Sequence, residues 1–229
     1  MKENNFIHRI TKEQVAQLPL VTFTGEVIVV RTPSVQKEAL LYLNQQQYVG
    51  VDTETRPSFQ HGQHFPTALV QIATTQRCYL FQLNHIGFTE ELASLFANPK
   101  ICKIGLAFHD DLRGLQRLHP FIPANCIDIQ KMVLKYGILD LGLQKIFAII
   151  FAKRISKSQQ LTNWDNVVLT PDQARYAATD AWATLLIYNE LCQTKQLDRH
   201  QYETLHQLDL QLQQEHQRQV IEQRHQEHE

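Results

Sequence analysis

Six side chains with chemical potential stand out in the sequence, arranged as three pairs. Asp52 and Glu54 lie two residues apart, Asp110 and Asp111 are adjacent, and Tyr176 and Asp180 are four apart. Carboxylates are hard oxygen donors suited to divalent cations such as Mg²⁺ or Mn²⁺. A free phenol, with a pKa of about 10, stays protonated at neutral pH and can hydrogen-bond a reacting group. Each pair alone has a plainer reading. An isolated D-x-E marks where a strand leaves the core, and short motifs recur by chance. Acidic residues at a helix start serve the dipole, at about 0.3–1 kcal/mol. What the pairs can do depends on whether the elements carrying them meet.

YVGVD (48–52) is a short apolar run typical of a buried strand, and period two turns Asp52 and Glu54 to the same side of it. ICKIGLAF (101–108) is a second buried strand, after which Asp110 and Asp111 open the helix DDLRGLQRL. TPDQARYAATDAWATLLIYNELCQ (170–193) is the strongest helix, with Thr170 as cap, Pro171 in the first turn and alanines throughout. Tyr176 and Asp180 share one face of it. Asp180 sits among Ala177, Ala178, Thr179, Ala181 and Trp182. An aspartate there is disfavoured by helix propensity and by desolvation.

The remaining segments supply a frame. VTFTGEVIVVRTP (21–33) contains a strand at Val27–Val30 stopped by Pro33, after which Ser34 caps a helix reaching Leu43. ALVQIAT (68–74) and RCYLFQL (77–83) form a hairpin across a Thr-Gln turn. GFTEELASLFAN reads as a helix, CIDIQ as a strand, and 129–136 and 140–150 as helical. A hairpin-bearing sheet followed by alternating strands and helices is an α/β arrangement with a mixed sheet. Residues 1–25 read as a lead-in and 194–229 as a polar helical tail rich in Gln, His and Glu. In the tail, Leu205, Leu208 and Leu212 make one stripe, too short for a coiled coil.

Composition narrows the function classes. Hydrophobic content of 43% and charged content of 20% suit a soluble globular protein. A formal net charge of −1 argues against a protein that coats nucleic acid electrostatically, so any nucleic-acid role must rest on a local site. No apolar run approaches the roughly 18 residues of a spanning helix, so no membrane partner is expected. MKENNFIHRITKEQ lacks the apolar core of a signal peptide, which makes a cytoplasmic location the default. Cys78, Cys102, Cys126 and Cys192 form no CxxC pair and read as reduced packing residues. His61 and His64 form H-x-x-H in a polar stretch and read as loop residues.

The order and spacing of these pieces resemble the tyrosine subclass of the DEDD 3′→5′ exonucleases, the group with ribonuclease D and the Werner syndrome exonuclease domain. The resemblance rests on VGVDTET (49–55), KIGLAFHDDLRGL (103–115) and LTPDQARYAATDAWATLLIYNEL (169–191), supported by LGLQKIFAIIFAKRISKSQQLTNWD (141–165). It covers residues 26–193, the expected exonuclease domain. At the second motif, apolar residues one and four positions later favour Asp111, with Leu112 and Leu115, over its neighbour Asp110.

The resemblance implies a ribonuclease H-like fold with a mixed five-stranded central sheet flanked by helices. It implies a catalytic set of Asp52, Glu54, Asp111, Tyr176 and Asp180, with the four carboxylates holding two Mg²⁺ or Mn²⁺ ions. Unit charges about 4 Å apart repel by roughly 4 kcal/mol at an effective dielectric of 20, so converging carboxylates either shift their pKa values or take up cations. In that scheme Asp52 bridges both ions, while Glu54 and Asp180 complete the site of the ion that binds the attacking water. Asp111 supports the second ion through water, and Tyr176 orients the nucleophile. The expected reaction releases nucleoside 5′-monophosphates from single-stranded or frayed DNA or RNA 3′ ends.

Lys103, Arg113, Arg154, Lys157 and Arg175 are candidates to meet phosphate, with solvated surface as their ordinary role. Phe108 and Trp164 either stack on a base or pack in the core. A non-cutting nucleic-acid- or protein-binding member of the same fold is the competing reading, but all five matching residues are present. An endonuclease of the broad fold is disfavoured by the Tyr176/Asp180 helix. No helicase segment or helical nucleic-acid-binding domain is recognisable, so a protein partner is expected to supply substrate capture. Oligomeric state and sugar preference do not follow from carboxylates that address phosphate.

Overall fold

Six segments rich in β-branched and aromatic residues pair into one mixed sheet. They are β1 (Glu26–Val30), β2 (Tyr48–Thr55), β3 (Thr67–Ala73), β4 (Arg77–Gln82), β5 (Cys102–Gly105) and β6 (Cys126–Asp128), in the order β1-β4-β3-β2-β5-β6. β2, β3 and β4 run antiparallel as a meander, while β1 joins β4, β5 joins β2 and β6 joins β5 in parallel. The segment-by-segment reading names all six; the sheet carries one strand more than the five that the resemblance implies. The computed structural model describes residues 1–58, 62–63 and 65–226, the side chains of 212, 213 and 215–226 excepted. His61 and His64 lie outside the described residues.

The helices are α1 (Lys12–Ala16), α2 (Pro33–Leu43), α3 (Leu83–Ile86), α4 (Glu90–Ala97), α5 (Phe108–Leu118), α6 (Ile129–Val133), α7 (Leu143–Phe151), α8 (Pro171–Gln193) and α9 (Arg199–Gln226). Alternation along the strands sorts the core into two layers. Val49, Val51, Val70, Ile72, Tyr79 and Phe81 face α2, α4 and α5. Leu69, Ala73, Cys78 and Leu80 face α8, where Ala177, Ala178 and Ala181 meet them. Each large side chain buried this way contributes about 1.5–3 kcal/mol. The small alanines let α8 approach the sheet closely. None of the described helices is long and apolar enough to cross a membrane.

Three local details differ from the sequence reading. Thr32, not Ser34, caps α2 by accepting from Val35 N, because Pro33 is best placed in the first turn, where its missing N–H costs nothing. β2 runs on to Thr55, with its register shifting between Glu54 and Thr55, so Asp52 and Glu54 stand within the strand. α5 starts at Phe108, two residues before the acidic pair, after Ala107 takes a left-handed φ of 51°. The cap of α8 follows the reading, with Thr170 and Gln173 forming a reciprocal capping box.

The lead-in and the first turns of α9 are tied down. In the lead-in, Ile10, Val15 and Phe23 are buried. Val21 N donates to Arg154 O at 2.9 Å and Arg154 N to Pro19 O at 2.9 Å, binding this segment to the chain that follows α7. In the tail, Leu205 is buried and Asp209 pairs with Arg9 at 2.7 Å, whereas Leu208 stays 50% exposed. The expected leucine stripe is thus divided, and the side chain of Leu212 lies outside the described set.

Candidate active site

Period two along β2 turns Gly50, Asp52 and Glu54 toward α8, and Val49, Val51 and Thr53 toward the opposite face. At Gly50 the absence of a side chain is required, since a Cβ there would collide with the Ala181 carbonyl. Thr184 fastens the same turn of α8, its hydroxyl donating to Ile104 O at 3.0 Å or Ala181 O at 2.8 Å. This docking brings Asp180 over the strand. Oxygens of Asp52, Glu54 and Asp180 lie within 4.8 Å of one another. Tyr176, one turn earlier on α8 and only 8% exposed, directs its hydroxyl at the Asp180 carboxylate. Its ring packs 6.0 Å from that of buried Trp164.

Asp111 approaches from α5 and stays outside that trio. The Thr53 hydroxyl donates to its Oδ1, so the residue between the two β2 acids holds the fourth carboxylate. Asp110 points into solvent, while Asp111 is half-buried. The structure therefore separates the two adjacent aspartates as the apolar spacing does. A cavity of about 300 Å³ opens on the trio, walled in part by Gln144, Ser156, Lys157 and Gln160. A wider one, about 590 Å³, lies on the Asp111 side with Arg56, Phe65 and Arg117 on its walls; both share Thr53.

Burial is the first cause of every carboxyl shift here, with like-charge repulsion second for the β2 pair. Asp52 is raised well above the usual range by desolvation and by Asp180, Glu54 and Asp111. Glu54 is pushed up to about 9 by desolvation, Asp180 and Asp111. Asp180 rises to about 7 through burial, opposed by the Tyr176 hydroxyl and by Lys157. Asp111 rises to about 6 through burial, opposed by the Thr53 hydrogen bond. Burial and the neighbouring carboxylates also raise the Tyr176 phenol, so it stays protonated. Such a site gains from any added positive charge.

A family model described as 3′-5′ exonuclease matches residues 27–197. The chain belongs to that family. Among its relatives, the mouse bifunctional 3′-5′ exonuclease/ATP-dependent helicase WRN is 29% identical over 187 residues, covering 76% of this chain and 13% of the mouse protein. The Nibbler EXO domain of Aedes aegypti superposes with a TM-score of 0.67 at 22% identity, covering 76% of this chain and 91% of that one. Trypanosoma brucei RNase D, in complex with RNA U12, gives 0.66 at 21% identity, over 74% and 63% of the two chains. These two likenesses establish a shared α/β fold. The chain spans between 13% and 41% of the first curated relatives it matches.

The 3′-5′ exonuclease family depends on divalent metal, and the residues present fit one: three hard oxygen donors converge, and Lys157 is the one cationic side chain among the described residues that line their cavity. Of the other basic candidates, Lys103 is fully buried, its Nζ donating to Asn98 O and Ile101 O at 2.7 and 2.8 Å, which removes it from any substrate. Arg154 spends its Nε on Leu18 O at 3.0 Å. Arg113 and Arg175 are exposed. Phe108 and Trp164 are 2% and 1% exposed and belong to the core, which removes both as base-stacking platforms.

Sequence reasoning missed Thr53 and Asp128. Asp128 accepts from Ala107 N at 3.1 Å and Gln130 N at 3.0 Å, fixing the turn into α5, and its charge raises Asp111 further. The signal for Thr53 was its position between two acids on the opposite face of the strand. Asp128 gave none beyond closing the strand CID.

Proposed function

We propose that this chain hydrolyses nucleic-acid phosphodiester bonds from the 3′ end, using Mg²⁺ or Mn²⁺, and releases nucleoside 5′-monophosphates. The carrying observation is the convergence of Asp52, Glu54 and Asp180 within 4.8 Å, at a cavity that also receives the Tyr176 hydroxyl. Asp52, Glu54 and Asp180 would hold one ion, and Asp52 with Asp111 would serve a second. Bound ions supply positive charge to the scissile phosphate and acidity to the attacking water. The chain's own groups do the rest. Tyr176, kept protonated by burial, orients the water through its hydroxyl rather than removing its proton. Thr53 holds Asp111 in place, and Trp164 backs the tyrosine ring. Lys157, exposed at the cavity rim, can meet the phosphate from the solvent side.

A cavity of about 300 Å³ suits a single strand end rather than an intact duplex, which supports single-stranded or frayed DNA or RNA as substrate. With a net charge of −1, the chain would leave capture of long substrates to a protein partner. The test is a gel assay on 5′-labelled single-stranded DNA and RNA with Mg²⁺, Mn²⁺ or EDTA. A metal-dependent ladder shortening from the 3′ end, lost in Asp52→Ala, supports the reading and reveals the preferred sugar. No cleavage of either polymer with either metal would transfer the argument to a non-cutting binding module.

A further inference from the structure

Gln71 is an amide standing where an apolar residue would pack. It lies in the middle of β3 with no solvent exposure, and neither its Oε1 nor its Nε2 has a hydrogen-bond partner. Among the described residues, no other buried side-chain amide lacks a partner at both atoms. Leu69 and Ala73, two positions away on either side, belong to the layer facing α8, as does Leu80, its opposite number on β4. Gln71 therefore points to that face. On β2 its opposite number is Asp52.

Directly opposed residues of an antiparallel pair project from the same face, with Cβ atoms about 4.5–5.5 Å apart. The amide and the carboxylate thus stand side by side beneath α8: Gln71 is fully buried at this layer with Ala177, Ala178 and Ala181, while Asp52 opens on the cavity. An apolar side chain of the same length would fill this space without orphaning a donor and an acceptor. A neutral donor behind a ligating carboxylate has a specific use: it fixes the carboxylate's rotation without competing with a cation for its charge.

We propose that Gln71 is a positioning residue for Asp52, its Nε2 donating to the carboxylate, directly or through one buried water, when a divalent ion is bound. The inference rests on the reading of Asp52 as a metal ligand. It sets metal affinity, and it explains why the core tolerates an amide without partners in the metal-free protein.

The test compares wild type with Gln71→Met by electron paramagnetic resonance titration of Mn²⁺, alongside thermal unfolding of the metal-free proteins. Methionine keeps the length and removes the polar atoms. We expect Gln71→Met to melt higher than wild type yet bind Mn²⁺ about 10–100-fold more weakly. Equal Mn²⁺ affinity in the two proteins overturns the inference and leaves the metal reading intact. Weaker binding together with a lower melting temperature also overturns it, marking Gln71 as a packing residue; Gln71→Leu guards against a misfit peculiar to methionine. A wild-type protein that binds no Mn²⁺ removes the metal reading and this inference together.

Discussion

The carbonyl oxygen of Ala181 lies directly over Gly50, and one residue earlier Asp180 meets Asp52 and Glu54. The distance between the strand and helix carboxylates is therefore set by a backbone contact. A methyl group at Gly50 would strike the Ala181 carbonyl and press on Thr184 Oγ1, and backbone cannot rotate away as a side chain could. Gly50→Ala is expected to cost about 1–3 kcal/mol, as overpacking does. The melting temperature should fall by roughly 2–4 °C per kcal/mol. Turnover should fall further, by about 10²-fold, because a shift near 1 Å in a catalytic group has that effect. A variant with wild-type melting and wild-type turnover would mean that α8 is spaced by something other than this contact.

The carboxyl shifts dictate how the metal-free protein responds to pH. Glu54 is raised to about 9, Asp180 to about 7 and Asp111 to about 6, with Asp52 raised as well. Between the ordinary carboxylate range, near pH ~4, and these values, the folded state binds more protons than the unfolded chain. Stability contributed by these groups is therefore complete at low pH and declines as pH rises through the window. In EDTA the melting temperature should fall from about pH 5 to about pH 9, and Mn²⁺ should restore more of it at the alkaline end. Asp52→Asn should flatten the slope. Melting temperatures that ignore both pH and Mn²⁺ would remove the metal from the account.

Periodicity made part of this arrangement legible in the sequence. Period two places Asp52 beside Glu54, and helical spacing places Tyr176 beside Asp180, whatever the rest of the fold does. Their meeting depends on α8 landing on β2 at Gly50, a long-range contact that local patterns do not encode. Thr53 illustrates the same limit: its partner, Asp111, lies 58 residues away on another helix. Lysine is normally a surface cation, but the Nζ of Lys103 donates to two carbonyls of the segment just before β5, Asn98 and Ile101, which lets a charged residue lie buried. Thr32 and Ser34 are both capping residues flanking Pro33, and only the preference of proline for the first turn chooses between them. Gln71 carries no signal of its own within ALVQIAT; its burial beneath α8 follows only from the packing of α8 on β3.

The two adjacent aspartates on α5 should behave very differently. Asp111 is half-buried and held by Thr53, whereas Asp110 is exposed. Asp111→Asn is expected to lower kcat by about 10²-fold or more, as loss of a preorganised electrostatic group does. Asp110→Asn should stay within about threefold, in keeping with the small value of exposed charges. Thr53→Val supplies a separate check. The hydroxyl lowers the Asp111 pKa, so its removal should raise that value above about 6 in the metal-free protein, as read by carbon-detected NMR titration of the side chain. An unchanged or lower value, or equal losses from the two asparagine variants, would contradict this assignment.

Tyr176→Phe isolates the hydroxyl from the ring. The ring is held by Trp164 at 6.0 Å and by burial, and phenylalanine preserves both, so the melting temperature should stay within about 2 °C of wild type. What is lost is the hydroxyl's contact with Asp180, which opposes the rise in that carboxyl's pKa. The phenol is raised above its ordinary value and remains protonated, so it acts as a hydrogen-bonding group and contributes no alkaline limb to the pH–rate profile. With the water no longer oriented, kcat should drop by about 10²–10⁴-fold. Mn²⁺ affinity should change little, because the three carboxylates stay in place. Turnover above about a tenth of wild type in Tyr176→Phe would assign the orientation of the nucleophile to another group at the cavity, with Lys157 and Gln160 as candidates on its wall.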